Sequence, residues 1–248
     1  MTEPAPALPA NRRREVLRQS LSIGAATGAY GISFGALSVA AGLSILQTQA
    51  LSALLFSGGS QFAVVSILGA GGSGAAAVAT SSLLGIRNGL YGLRTSRLLG
   101  AFGLRRLVAA QVTIDESTAM AITQPEPAAQ RLGFWVTGGA VYVFWNLMTL
   151  VGAFVGDALG DPRRYGLDAA ASAAFLALLW PRLRSGDARA TAVLAAFLAL
   201  VTSPVLPAGV PVIVAALAAV AVGLRRSGHH VPPLEGVDGS LPGSDPTP

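Results

Sequence analysis

Two short stretches of this chain set polar side chains inside apolar runs, and each raises a chemical question. In LLFSGGSQFAVV, residues 54–65, Gly58 and Gly59 stand together before Ser60 and Gln61. Each glycine costs about 1 kcal/mol relative to alanine inside a helix, and a helix opened there frees backbone groups that must find partners. A glutamine amide in an apolar environment must likewise be hydrogen-bonded, and polar groups facing a bundle interior often mark a solute path. The other stretch, QVTIDESTAMAIT at 111–123, carries Asp115 and Glu116. With Arg87 these are the charges left within apolar segments, each costing about 2.5–3.5 kcal/mol at a helix centre facing lipid, so they must pair, snorkel or face water. Asp115 and Glu116 are the carboxylates able to carry a proton or meet an ammonium group; a simple ion pair with Arg87 is the structural alternative. For Gly58 and Gly59 the alternative is close helix packing, because Gly24/Gly28, Gly31/Gly35 and Gly152/Gly156/Gly160 show the same use of small residues at four-residue spacing.

The elements that hold these residues are helices in a bilayer. Of 248 residues, 52% are hydrophobic and 12% charged, against about a quarter charged in soluble domains. No Asp, Glu, Lys or Arg occurs from Gln19 to Ile86, far beyond the roughly 20 residues of one span and too long for a cleaved signal peptide. The chain therefore reads as an all-α polytopic membrane protein. Its apolar segments fall at about 20–42, 45–70, 74–94, 107–123, 133–156, 167–181, 190–205 and 209–224, giving seven or eight transmembrane helices. Residues 1–19 and 226–248 read as disordered cytoplasmic tails around a transport domain at 20–225.

All 17 basic residues are arginine. Clusters at 12–18, 94–106, 182–189 and 225–226 place those positions, and both termini, on the cytoplasmic side. Simple crossing of the first three segments would put the 94–106 cluster outside. A broken or re-entrant segment within 45–94 removes the conflict, because irregular backbone is tolerated where protein or water surrounds it, and FSGGSQF is the natural break.

Catalysis finds no base. SGGS and GGSG, at 57–60 and 71–74, offer serines, but the chain has no lysine, and His229 and His230 lie in the polar tail, so neither Ser-His nor Ser-Lys activation can be built in an apolar segment. FVGD and ALGD, at 154–161, lack the second glycine of an aspartyl intramembrane protease. The chain has no cysteine, which excludes disulfides and thiolate chemistry, and neither a metal site nor a cofactor is expected. The arginines flank apolar segments without interleaved aromatics, which argues against nucleic acid, and no phosphate-binding GxxxxGK[ST] loop is present.

YGISFG, SGGSQFAVV, IRNGLYGL and IDESTAMA, in this order, resemble the AzlC family, the large subunit of bacterial branched-chain amino acid exporters, over roughly residues 20–225. Gly58–Phe62 are similar to a GAAQF-like motif, 85–92 to an NxRHxLYG-like motif and 114–116 to a TDE-like motif. Gly85 stands for the usual Asn, Asn88 for His and Ile114 for Thr, departures that bear on the substrate and on any coupling through histidine. The resemblance implies efflux of a small neutral amino acid across the bacterial inner membrane, together with a small hydrophobic AzlD-type subunit. The expected substrate site comprises Gly58, Gly59, Ser60, Gln61, Phe62, Arg87, Asn88 and Tyr91, with freed N–H groups at Gly58 and Gly59 meeting the carboxylate. Asp115 and Glu116 take the ammonium or the coupling proton. The competing readings are a channel or permease subunit of an ATP-driven transporter, and a membrane scaffold without transport.

Overall fold

A computed structural model describes residues 8–159, 176, 179–180, 183–207 and 209–227. Among these residues all regular structure is helical, in nine helices: α1 Ala10–Ala40, α2 Ile45–Leu54, α3 Gly58–Gly69, α4 Gly74–Leu99, α5 Leu104–Gln111, α6 Asp115–Thr123, α7 Pro127–Leu159, α8 Gly186–Thr202 and α9 Val210–Ser227. Local chemistry sets several of these boundaries. Ser44 and Gln47 form a reciprocal capping box at the start of α2, and the side chains of Ser73 and Ser185 accept from the third residues of α4 and α8. Gly100 ends α4 at φ +53°, a left-handed position that suits glycine.

Several expected boundaries move. The first helix begins at Ala10 rather than residue 20, because Arg12 and Glu15 pair one turn apart at 2.7 Å and Arg12 also reaches Gln124 at 2.8 Å and Glu126 at 3.4 Å. The last helix continues to Ser227. The segment expected at 167–181 falls almost wholly outside the described residues.

α1 and α7 are the two described helices long and apolar enough to cross a membrane, and they form the most extensive helix pair. Their seam is made by glycine. A Cβ on Gly24 would lie 2.6 Å from Ala140 Cβ, and one on Gly28 2.5 Å from Phe144 Cβ; on Gly35 it would strike the carbonyl oxygen of Thr149, and on Gly152 that of Ile32. Contacting numbers rise together along both helices, so the two run parallel. The small-residue packing foreseen for these glycines is what the structure uses here.

Two shorter elements fold back on themselves. A Cβ on Gly69, at the end of α3, would lie 3.3 Å from Ala41 Cβ, just before α2 begins, and Gln61 reaches Ser52 across the turn at 55–57. α2–α3 is therefore a hairpin that enters and leaves at the end of the bundle where α1 stops. α5–α6 is its counterpart from the opposite end. Ala109 and Ala121 share one cluster across its tip, and residues 124–126 return to Arg12. Between the hairpins α4 crosses from the first end to the second, where Arg131 Nε donates to Leu98 O at 3.1 Å. What reads in sequence as one broken segment at 45–70 and one weak span at 107–123 is thus a pair of opposed hairpins.

The seam predicts a sharp contrast. Gly35→Ala places a methyl group against backbone that cannot move aside and should destabilise the protein by at least about 1–3 kcal/mol. Gly139→Ala, on α7 but away from the seam, meets nothing within 4 Å and should be neutral, or stabilising by about 0.5–1 kcal/mol. Thermal unfolding of the two purified variants measures both; equal stability would discard the seam.

Candidate functional site

The tips of the two hairpins meet. Gln111 Nε2, at the end of α5, donates to Ala53 O at 2.8 Å and to Leu54 O at 3.3 Å, and Tyr142 of α7 donates to Ala53 O at 3.4 Å. Gln61 Nε2 donates to Ser52 O at 3.1 Å and Leu51 O at 3.4 Å. The last four carbonyls of α2, which no helical N–H beyond Leu55 can reach, are thus held by side chains.

The other half of the break is left open. α3 starts at Gly58 with no side-chain cap, and the hydroxyl of its N-cap residue Ser57 is buried without a partner. The first-turn N–H groups therefore present the positive end of the helix dipole to a cavity of about 250 Å³. That is slightly below the roughly 300–1,000 Å³ of drug-sized sites and suits a smaller solute. The start of α6 faces the same cavity, but its first turn carries Asp115 and Glu116. One helix N-terminus is balanced by its own acids; the other is not.

Arg87, midway along α4, lies between them. Its Nη1 is 3.0 Å from Asp115 Oδ2, both side chains being about a third exposed, and its Nη2 would be 3.0 Å from a Cβ on Gly59. Glycine at 59 thus lets the guanidinium approach the α3 backbone. The ion pair that sequence offered as the alternative role of Asp115 is present, within the cavity wall rather than remote from it. Arg87 Nε, Asn88 Oδ1 and Trp145 Nε1 are buried without partners on residues that also line the cavity. Buried polar groups are almost always paired, so four such atoms around one cavity, counting Ser57 Oγ, point to a polar solute. Apolar lining comes from Phe62 and Trp145, which pack edge to face at 6.3 Å, and from Phe56 and Val141, while Phe34, outside the lining, stacks on Trp145 at 6.1 Å.

Of the expected substrate residues, Gly58, Gly59, Phe62, Arg87 and Asn88 line the cavity together with Asp115 and Glu116. Three stand elsewhere. Ser60 Oγ donates to Ser81 O at 2.9 Å and fastens α3 to α4. Tyr91 lies one turn beyond Asn88 on α4, outside the lining, and its carbonyl accepts from Thr95. Gln61 is wholly buried outside the lining, and its amide nitrogen caps α2. The break itself sits at 55–57, three residues before its expected place, and Gly58–Gln61 form the first turn of the returning helix. Neither Gly58 nor Gly59 has a helix backbone packed against it, unlike the α1–α7 glycines. Sequence reasoning missed Ser57, Trp145 and Gln111, each an ordinary polar or aromatic residue whose partners are remote in the chain.

Opposed hairpins whose tips enclose a small, half-polar cavity define an all-helical fold that has, among the described residues, two helices long and apolar enough to cross a membrane and a candidate site where its helices break. A family model described as AzlC protein matches residues 22–159, and the chain belongs to the AzlC family. That family is associated with branched-chain amino acid transport and is not a family of enzymes. No curated protein and no solved structure matches the chain.

Gln61→Leu separates a structural amide from a solute ligand. Removing the cap strands carbonyls of α2 and should lower stability by about 1–3 kcal/mol, while the folded fraction binds solute with wild-type affinity. Wild-type stability with weakened binding would return Gln61 to the site.

Proposed function

We propose that this chain is the large subunit of a secondary transporter that exports a small neutral amino acid. One observation carries the reading: the same cavity is lined by anion-seeking groups, the uncapped start of α3 and Arg87, by cation-seeking groups, Asp115 and Glu116, and by the apolar Phe62, Val141 and Trp145. A zwitterion with an aliphatic side chain fits those three surfaces. Its carboxylate takes the amides of Gly58 and Gly59, its ammonium takes the acids, and its side chain lies on the aromatic face. Branched-chain substrates accord with that face and with the family.

The hairpins also suit the arginine pattern. With α1 leaving the cytoplasm, α2–α3 turning back on the far side and α4 returning, Arg94, Arg97, Arg105 and Arg106 reach the cytoplasmic face. α5–α6 then enters from that face and α7 crosses outward. If the 167–181 segment also crosses, six full crossings and two re-entrant hairpins result, with both termini in the cytoplasm of the bacterial cell. We take the proton gradient as the driving force, carried at Asp115 or Glu116, and a small AzlD-type membrane subunit as the partner.

Proteoliposomes holding the chain with its partner should show counterflow of labelled leucine, valine or isoleucine without ATP; strict ATP dependence, or no flux for any amino acid, rejects the reading. Asp115→Asn and Glu116→Gln test the acids. If either carries the proton or ammonium, gradient-driven export falls by about 10²-fold or more while the protein still inserts. For Asp115 the double variant with Arg87→Gln should restore folded yield, because neither charge is then stranded, yet not restore export. Topology is tested separately in this cysteine-free chain. Leu43→Cys and Gly72→Cys, on either side of α2–α3, should both label with impermeant reagent in intact cells, and Leu8→Cys only after permeabilisation.

A further inference from the structure

We propose that Gln111 is a positioning residue that locks the two hairpin tips into one body and thereby keeps the α3 amides aimed into the cavity. The inference rests on the reading of that cavity as a substrate site, and it adds a residue outside the cavity that opens the 111–123 stretch but was given no role there.

The reason lies in the chemistry of a helix end without water. α2 stops after ten residues with Ser52 buried and Leu54 on the outer surface, and where that surface faces lipid an unpaired main-chain carbonyl is far more costly than at a wetted one. Leu51 O is met by Leu55 N, and Leu51 O and Ser52 O are met by Gln61, all from the same hairpin. Ala53 O and Leu54 O, nearest the tip, have no donor within that hairpin. Gln111 supplies both from α5, and Tyr142 adds a longer bond to Ala53 from α7. One amide with two hydrogens thus closes two carbonyls belonging to the opposite hairpin, a fit that Asn, one methylene shorter, cannot reproduce from the same backbone position.

Two consequences follow. The turn at 55–57 connects these carbonyls directly to Ser57 and Gly58, so the Gln111 contact fixes where α3 begins and where its free N–H groups point. Parting the tips would strand Ala53 and Leu54 together, so the tips stay joined through the transport cycle. The Arg87–Asp115 pair and the Ser60–Ser81 bond then tie α4 to that single body.

Three variants of the complete protein in proteoliposomes test this. In a Ser57→Cys background, Gln111→Leu should speed thiol labelling at position 57 about tenfold, a readout that needs no substrate and so stands or falls independently of the transport reading. In the native background the same replacement should raise KM for the transported amino acid about tenfold with kcat much less changed, because the amides are mis-aimed in the ground state. Ala53→Cys with Gln111→Cys, bridged by a short bifunctional thiol reagent, should bring KM back toward the wild type and leave turnover intact. Unchanged labelling at position 57 overturns the locking role. A bridge that abolishes turnover while binding persists shows that the tips must part and overturns the single-body claim. Wild-type KM in Gln111→Leu, with only the folded yield reduced, leaves Gln111 a stabilising residue and overturns its positioning role.

Discussion

The rest of this structure depends on how an interrupted helix satisfies its backbone where water is absent. A break at 55–57 leaves the carbonyls of Ser52, Ala53 and Leu54 without a backbone donor and frees a set of amides, and leaving either end bare within a bilayer costs several kcal/mol per group. The chain treats the two ends unequally. Gln61, Gln111 and Tyr142 bring donors to the carbonyl end of α2, whereas the amide end of α3 keeps no capping side chain. That asymmetry turns a structural liability into an anion-seeking surface, and it accounts for three polar side chains that otherwise look misplaced among apolar neighbours.

Such a break needs a rigid frame, which α1 and α7 provide. Lipid offers no hydrophobic drive between helices, so their association depends on close van der Waals approach. Gly24, Gly28, Gly31 and Gly35 on one side, and Gly152 and Gly156 on the other, bring backbone against backbone. Phe34 and Trp145, set between these glycines, project into the space that the hairpin tips close. The seam and the aromatic face of the cavity are therefore consecutive features of the same two helices.

Electrostatics at the cavity follow from the opposed hairpins. Both returning helices, α3 and α6, point their N-termini at the centre, and two unbalanced dipoles of like sign would repel across a low-dielectric gap. Asp115 and Glu116 neutralise one of them, and Arg87 answers Asp115 while lying over Gly59. The positive and negative sides of the cavity are thereby kept on separate helices.

Composition and the long uncharged run established a helical, membrane-embedded chain, because the bilayer demands apolar length and internally satisfied backbone whatever the fold. The four-residue glycine spacing also marked the packing faces of α1 and α7, since helical periodicity alone puts those positions on one side. The arginine clusters required an irregular segment before residue 94, and adjacent Gly58 and Gly59 located it to within three residues. None of this local information distinguished a kinked span from a hairpin, because the difference is whether Gly69 returns to Ala41, a contact 28 positions away. Nor did it separate Gln61, which caps a helix, from Arg87 and Asn88, which line the cavity: all three are polar residues in apolar runs. Only the tertiary structure, by bringing the carbonyls of 51–54 against Gln61 and Gln111, decided which polar groups complete the backbone and which line the cavity.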